Sequence, residues 1–269
     1  MKRILSIAGT DPTGGAGIQA DLKSIAALGG YGMCVVTALV AQNTHGVRDV
    51  HFPPVSFLRE QLESVSDDVV IDAVKIGMLG NAEIVTEVGR WLEQVRPPVI
   101  VLDPVMVATS GDRLLATEAE NAVIDLLERV DMVTPNLAEL ALLAGETEAT
   151  EWADALNQGR RLMARHDVGV IVKGGHLAGE HCPDALLVPD AEPCMLETER
   201  IHTRNTHGTG CSMSSGLATL RARAGDWQSA FEQTKYWLQE ALQHADDLQV
   251  GSGSGPIHHF HALYASAGQ

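Results

Sequence analysis

Short β-branched runs alternate with amphipathic segments along this chain, and this alternation constrains the fold more than any other feature. Runs such as "RILSIA" (3–8) and "MCVVTALVA" (33–41) are typical of buried strands. The segments between such runs carry apolar residues at steps of three and four, which is the spacing of a helix packed on one face. The alternation predicts an α/β fold in which helices cover a mostly parallel sheet.

The predicted elements follow one another with no gap that resembles a linker. Further strands are predicted at 72–77, 98–103, 131–136 and 168–173, and an antiparallel pair at 184–188 and 195–204. Helices are predicted at 17–28, 55–66, 81–95, 117–130, 137–143, 151–166, 210–224 and 227–246. We expect residues 1–269 to form a single domain, since no Pro/Gly/Ser-rich or like-charged stretch interrupts the middle.

The charge balance narrows the range of partners. Acidic residues outnumber basic ones by 35 to 19, giving a formal charge of −16 that disfavours nucleic acid and anionic membranes. The apolar run at the N-terminus stops at Asp11, too soon for a signal peptide. The longest apolar run is about half a membrane span. We therefore expect a cytoplasmic protein with neither a nucleic-acid nor a membrane partner.

Cysteine and histidine spacing gives no clear metal site. Cys34, Cys182, Cys194 and Cys211 form no CxxC pair and no zinc-type pattern, so they are expected to be free thiols. The "HHFH" tract (258–261) has a metal-binding composition. Without cysteine or carboxylate partners beside it, we favour a terminal segment packed against the body of the protein.

Polar residues end three of the predicted strands. Asp103, Asn136 and Lys173 stand at the carboxyl ends, which form the ligand-binding edge of an open parallel sheet. Each of them could also be an ordinary cap or turn residue. The stretch "NTHGTGCSMSSG" (205–216) adds a glycine-rich turn that runs into a helix, a geometry that suits an anion, although glycines in such a turn can also serve packing alone.

Two other nucleotide-binding classes fit the sequence poorly. The first loop contains Gly15-x-Gly17-x-x-Ala20, a variant of the dinucleotide fingerprint, but the second strand ends in Gln42 and Asn43 where an acidic residue is needed. A Walker motif needs a Gly-Lys pair, and none of the five lysines follows a glycine. A passive anion-binding module is the remaining alternative.

Six motifs in order carry a family resemblance: "AGTDPTGGAGIQAD" (8–21), "KIGML" (75–79), "LDPVM" (102–106), "TPNLAE" (134–139), "VKGGH" (172–176) and "NTHGTGC" (205–211). With the "GPIHHFH" ending, they resemble the ribokinase superfamily and, within it, the hydroxymethylpyrimidine/phosphomethylpyrimidine kinases of thiamine biosynthesis. The resemblance implies a ribokinase-like three-layer α/β/α sandwich with a mainly parallel central sheet. It also implies ATP-dependent phosphorylation of a pyrimidine alcohol and then of the monophosphate. Pyridoxine and pyridoxal kinases, which share the fold, are the nearest alternative.

The resemblance assigns phosphate and metal roles to particular residues. Gly208, Gly210 and Cys211 would form the anion hole that receives the transferring phosphate. Asn136 and Glu139 match an Asn-x-x-Glu motif associated with Mg²⁺ near the phosphates of ATP, and a carboxylate can hold Mg²⁺ through its hydration shell.

Three further residues are candidates on chemical grounds. Lys173, followed by two glycines, is a candidate phosphate partner. Asp103 would be a second carboxylate for the metal, and Thr206 would offer its hydroxyl to ATP.

A second set of candidates concerns the pyrimidine. Asp21 and Gln42 carry a carboxylate and an amide, which can pair with a ring nitrogen and an exocyclic amine. Gly9, Met78 and Val105 match positions that line the pocket in the family. Because dimers are common in the family, a homodimer is also expected.

Cys211 occupies the position where most of the superfamily has an aspartate that accepts the proton of the attacking hydroxyl. A helix N-terminus can lower the pKa of a thiol toward neutrality, whereas a phosphate held beside it raises that pKa. The hypothesis is that Cys211 acts as a general base.

Overall fold

The structure, a computed structural model, describes residues 1–106 and 114–266 of the 269-residue chain. In this part of the chain the strands are β1 (Arg3–Gly9), β2 (Tyr31–Asn43), β3 (Gly46–His51), β4 (Ala73–Ile76), β5 (Ile100–Leu102), β6 (Met132–Val133), β7 (Gly169–Lys173), β8 (His181–Leu187) and β9 (Cys194–Glu199). They form one sheet in the order β3-β2-β1-β4-β5-β6-β7-β8-β9. The central pairs from β2 to β7 are parallel, and β3, β8 and β9 add antiparallel edges.

Helices connect most of these strands. They are α1 (Gly17–Ala27), α2 (Val55–Ser66), α3 (Ala82–Val95), α4 (Glu120–Leu126), α5 (Leu137–Ala144), α6 (Trp152–His166), α7 (Thr209–Ala224), α8 (Trp227–Gln243) and α9 (His261–Ser266). Over residues 1–106 and 114–266, no helix combines the length and the apolar character needed to cross a membrane.

The two faces of the sheet carry separate apolar layers. In β1, Leu5 and Ile7 face a layer built with helices α2 to α6, whereas Ile4 faces a layer built with α1, α7 and α8. Alternate residues of a strand point to opposite faces, so one buried strand supplies both layers. The predicted α/β sandwich with a mainly parallel sheet is confirmed.

Several element predictions need correction. The edge strand β3 was not predicted, because its six residues lie at the rim of the sheet and are largely solvent-accessible. The predicted helix 117–130 is the short helix α4 between two 3₁₀ turns. The last helix, α9, was also missed. The predicted antiparallel pair is confirmed as β8 and β9, with β8 starting earlier and β9 ending earlier than predicted.

A buried ion pair joins the sheet to the α1/α7 layer. Lys75 Nζ in β4 donates to both carboxylate oxygens of Asp21 in α1, at 2.8 and 2.9 Å, and neither side chain is exposed to solvent. Asp21 also accepts hydrogen bonds from Ser6 Oγ of β1 at 2.6 Å and from Ser215 Oγ of α7 at 2.7 Å. Burial opposes the charge of Lys75, but the Asp21 carboxylate outweighs this effect and raises the pKa of the ammonium group. The complete pairing offsets the cost of removing two charges from water.

Lys75→Met should destabilise the protein strongly, because it leaves the Asp21 carboxylate buried without its counterion. Breaking a buried pair in this way typically costs about 3–5 kcal/mol, whereas replacing both partners costs much less. We therefore expect the double variant Lys75→Met/Asp21→Leu to regain much of the lost free energy of unfolding. Urea denaturation of the two variants checks this, and a double variant less stable than the single one would contradict it.

Candidate active site

A cavity of about 760 Å³ opens at the carboxyl ends of the parallel strands. It brings together residues that lie far apart in the sequence. The predicted site residues that line it are Gly9, Gln42, Met78, Asp103, Val105, Asn136, Glu139, Lys173, Thr206, Gly208, Gly210 and Cys211.

Asp11 organises the loop between β1 and α1. Its Oδ1 accepts hydrogen bonds from the backbone and the hydroxyl of Thr13, and its Oδ2 accepts from the amides of Gly15 and Ala16 at 3.0 and 2.8 Å. His207 Nε2 donates to the same Oδ2 at 2.9 Å, so Asp11 ties this loop to the glycine-rich turn before α7. Burial disfavours the carboxylate charge, but the hydrogen bonds from His207 and Thr13 lower the pKa of Asp11 to about 2.

The sequence reasoning missed this anchor. In the sequence analysis Asp11 served only to mark the end of the N-terminal apolar run. A usable signal was present, because an Asp followed by small residues and glycines is typical of a loop that bonds back to its own carboxylate.

The turn of residues 205–211, here called the phosphate loop, contains two glycines that differ in their requirements. Gly208 caps α7 with φ +78°, and a Cβ there would overlap the carbonyl oxygen of Gly15. A Cβ on Gly210 would instead lie 3.6 Å from Asp103 Oδ2 and 3.8 Å from Lys173 Nζ, which is ordinary contact. The fold therefore requires glycine at 208, whereas at 210 glycine keeps space open beside the first amides of α7, which lack intrahelical acceptors.

Asn136 and Glu139 cap the start of α5. Asn136 Oδ1 accepts from the Glu139 amide at 2.9 Å, and Glu139 Oε2 accepts from the Asn136 amide at 2.8 Å, which completes a capping box. Sequence reasoning assigned a metal role to this Asn-x-x-Glu motif and missed its capping role. Burial, together with the negative charge of Asp103, raises the pKa of Glu139 to about 7, although Lys173 opposes the shift.

Asp103 and Glu139 would bind a cation only together with further ligands. Lys173 Nζ lies 4.0 Å from Asp103 Oδ1, so these two charges partly balance each other. Within 1–106 and 114–266, no group of three or more His, Cys, Asp or Glu side chains is arranged to hold a metal ion by itself. The mutual repulsion of Asp103 and Glu139 favours a divalent cation whose remaining ligands are water and phosphate oxygens, as Mg²⁺ prefers.

The prediction that Asp21 contacts a pyrimidine needs correction. The Asp21 carboxylate is fully buried, and both oxygens are engaged by Lys75, Ser6 and Ser215. Asp21 is also absent from the described lining of the cavity. A carboxylate that accepts four hydrogen bonds from three internal donor groups has no lone pair directed at a ligand, so Asp21 is a structural anchor.

The surroundings of Cys211 weigh against the hypothesis that its thiol acts as a general base. Cys211 borders the cavity, but burial of the thiol raises its pKa to about 12. The charge of Lys75 and the amide of Gly17 act in the opposite direction, and the carboxylates of Asp21 and Asp103 add to the rise. Desolvation outweighs Lys75 and the Gly17 amide, so the thiol is protonated at neutral pH.

The remaining predictions on cysteine and histidine are confirmed for the described residues. All four cysteines are free thiols. His258, His259 and His261 are buried against the body of the protein, as expected for a packed terminal segment. His259 contacts Ser212 near the start of α7, a connection that no local sequence signal indicated.

A family model described as phosphomethylpyrimidine kinase matches residues 11–258 of the chain. The chain belongs to the phosphomethylpyrimidine kinase family. It is 49% identical over 267 residues to the hydroxymethylpyrimidine/phosphomethylpyrimidine kinase of Escherichia coli (strain K12), covering 98% of this chain and 100% of that protein. It is 55% identical to the thiamine biosynthesis multifunctional protein ThiED of Corynebacterium glutamicum, which covers 96% of this chain. The chain spans only about a third (34%) of the length of that relative.

Solved structures agree with this family assignment. An ADP complex of Bacillus subtilis pyridoxal kinase superimposes with a TM-score of 0.89 at 30% identity, covering 98% of this chain and 99% of that one. Phosphomethylpyrimidine kinase from Clostridium difficile 630 gives a TM-score of 0.79 at 34% identity, covering 90% and 100%. The predicted ribokinase-like fold is confirmed.

The two glycines of the phosphate loop should respond differently to alanine. Gly208→Ala is expected to lower the unfolding temperature, because it places a Cβ at positive φ against the Gly15 carbonyl, a strain of about 1–3 kcal/mol or more. Gly210→Ala should unfold like the wild-type kinase but turn over ATP more slowly, because its methyl group enters the space for phosphate. Calorimetry and a coupled ATP assay separate the two effects. Equal unfolding temperatures for both variants would contradict this difference.

The raised pKa of Cys211 predicts a distinctive alkylation profile. In a kinase variant whose other three cysteines are serine, the rate of iodoacetamide modification should still be rising at pH 10, since only the thiolate reacts. The rate is measured by mass spectrometry between pH 6 and pH 10. A plateau at or below the ordinary thiol pKa of about 8.5 would show that the thiol is not desolvated.

Proposed function

We propose that this protein transfers the γ-phosphate of ATP to the hydroxymethyl group of 4-amino-5-hydroxymethyl-2-methylpyrimidine. A second transfer then converts the monophosphate to the diphosphate, for thiamine diphosphate biosynthesis. The observation that carries the proposal is the match, over the full length of the Escherichia coli kinase, combined with one cavity lined by the family's site motifs.

One end of the cavity suits a flat heterocycle. Its wall is apolar, with Val40 and Met78 in one small cluster and Val105 packed against it. Gly9 keeps this wall open, because a Cβ there would lie 3.0 Å from the sulfur of Met78. Gln42 supplies a donor and an acceptor at this end, and so can pair with the edge of an aminopyrimidine.

The middle of the cavity suits the transferring phosphate. The amides of Gly210 and Cys211 stand in the first turn of α7, where backbone N–H groups and the helix dipole favour an anion. Lys173 adds a positive charge from the carboxyl end of β7, and Asp103 and Glu139 would hold Mg²⁺ on the phosphate oxygens. Magnesium neutralises charge on the β- and γ-phosphates during transfer.

The far end of the cavity suits the nucleoside of ATP. Ile201, Leu238 and Leu242 give the cavity apolar lining for the nucleoside, and Thr206 and Gly208 line the same cavity. In-line transfer requires the attacking oxygen and the leaving oxygen to lie on opposite sides of the phosphorus. A cavity with the pyrimidine at one end and the nucleoside at the other meets this requirement.

Cys211 takes part through its position. Its thiol is protonated at neutral pH, so it does not begin the reaction as a thiolate base. Phosphoryl transfer has a loose transition state, in which positioning and charge neutralisation supply most of the acceleration. The N–H of Cys211 contributes to the anion hole, and its side chain borders the site of attack.

Pyridoxal kinase activity is the second candidate function. The supporting observation is the TM-score of 0.89 to Bacillus subtilis pyridoxal kinase, at 30% identity. A structure described as the last common ancestor of HMPPK and PLK/HMPPK vitamin kinases also superimposes, with a TM-score of 0.71.

The proposal also covers the domain organisation, the partners, the location and the oligomeric state of the enzyme. We infer that residues 1–269 form one kinase domain, that the partners are ATP, Mg²⁺ and a small pyrimidine, and that the enzyme is a cytoplasmic homodimer. The negative charge of −16 supports the preference for small substrates over nucleic acid or anionic membranes.

Phosphorus NMR of the purified protein with Mg-ATP and hydroxymethylpyrimidine tests the function directly. We expect the monophosphate to appear first and the diphosphate to follow, with no product when EDTA removes the metal and recovery when Mg²⁺ is restored. A parallel reaction contains pyridoxal. Phosphorylation of pyridoxal alone would favour the second candidate, and a lack of product from either substrate would indicate a passive binding protein.

A further inference from the structure

The C-terminal segment 254–259 runs beside the phosphate loop and is bonded to it. Gly255 donates its amide to Asn205 Oδ1 at 3.0 Å and accepts from the His207 amide at 3.0 Å. Pro256 and His207 form a parallel β-bridge. Ile257 is fully buried in the apolar layer that also holds α7, so this segment is fixed against the core.

His259 connects this segment to the first residues of α7. Its Nε2 lies 2.9 Å from Ser212 Oγ, and Ser212 Oγ lies 2.8 Å from the carbonyl oxygen of Gly208. His259 and Ser212 are both buried, with 4% and 0% of their surfaces exposed. Water therefore does not compete for these bonds.

The number of available protons indicates which group donates in each of these two hydrogen bonds. The Ser212 hydroxyl has one hydrogen, and the Gly208 carbonyl can only accept. Both contacts are satisfied together when Ser212 donates to Gly208 and His259 Nε2–H donates to Ser212. Burial, with the nearby charges of Lys23 and His258, outweighs a backbone hydrogen bond at Ile257 and lowers the pKa of His259 to about 3, so the ring is neutral. The tautomer that satisfies both contacts of Ser212 carries its single N–H on Nε2.

The Gly208 carbonyl accepts two hydrogen bonds at the start of α7, so its orientation is well defined. Gly208 is the N-cap of α7 in a left-handed conformation, and its oxygen also accepts from the Ser212 amide at 2.9 Å. Because a peptide unit is planar, fixing this carbonyl fixes the direction of the peptide that leads into the first turn. The amides of Gly210 and Cys211 follow directly, and these are the proposed phosphate donors.

We propose that His259 is a positioning residue of the anion hole, acting through Ser212 on the Gly208 carbonyl. The inference rests on the proposed kinase function for its effect on turnover. His259 touches no substrate, and its effect is to hold the donors of α7 where charge develops during transfer. Displaced donors stabilise the transition state less while leaving the pyrimidine pocket intact.

His259→Leu removes the donor and keeps an apolar side chain of related size. We expect kcat to fall by about tenfold, a fraction of what loss of an anion-hole donor itself costs, while KM for the pyrimidine changes by less than about twofold. His259→Gln, which can place an N–H near the position of Nε2, should recover most of the loss. His258→Gln is the matched control, because the His258 ring packs against Tyr264 at a centroid distance of 5.2 Å and lies outside the chain of bonds.

Ser212→Ala removes the hydroxyl that links His259 to the Gly208 carbonyl. It should lower kcat as His259→Leu does, and the double variant should be no worse than the poorer single one, since both changes remove one connected chain. Ser212→Ala deletes a single oxygen, so it also tests the chain if the leucine variant does not fold. Full additivity of the two losses would overturn the proposal.

Hydrogen exchange provides a readout that does not depend on turnover. Amides in the peptide covering 205–216 should exchange faster in His259→Leu than in wild type, and His258→Gln should match wild type. Unchanged kcat, unchanged exchange in this peptide, or a glutamine variant no better than leucine would each overturn the proposal. If the wild-type protein phosphorylated neither pyrimidine nor pyridoxal, the proposed function would fail. The exchange data would still decide whether His259 holds the loop.

Discussion

Lys75 and Asp21 form an ion pair that water does not reach, and the position of the active site depends on it. Lys75 belongs to β4 and Asp21 to α1, and Ser6 and Ser215 extend the cluster to β1 and α7. Two buried charges are tolerated only when their hydrogen bonds are complete, so these four elements must meet in one arrangement. Because α7 begins at the phosphate loop, this arrangement also sets where the anion hole lies relative to the strand ends.

A second set of contacts then shapes the phosphate loop itself. His207 of the loop bonds through its ring to Asp11 and through its amide to the Gly255 carbonyl. His259 bonds to Ser212, the residue directly after the loop. In the proposed function, an acidic protein thereby offers phosphate an anion site made chiefly of backbone amides, with Lys173 as the charged side chain that lines the same cavity. The carboxylates of Asp103 and Glu139 make the same region suitable for a cation that arrives with phosphate.

Much of this architecture follows from local patterns. The alternation of apolar runs predicts the parallel sheet and its helical layers, because each buried strand and each amphipathic helix reports its own environment. The motifs at strand ends predict which residues border the cavity, since parallel strands place their carboxyl ends at one edge. The edge strand β3 escaped this reasoning because it is largely solvent-accessible, and the helix α9 because its six residues are too few to show a helical period.

The sequence by itself determined the fold class, the family and the group of residues that meet at the cavity. Only the tertiary structure decided the roles of Asp21, Cys211 and His259. Asp21 turned out to be saturated by partners from β1, β4 and α7, and His259 reaches Ser212 across 47 positions of the chain. Burial is the main cause of the raised pKa of the Cys211 thiol. Desolvation and long-range hydrogen bonds depend on which distant segments pack around a group. A local sequence pattern carries no information about those segments.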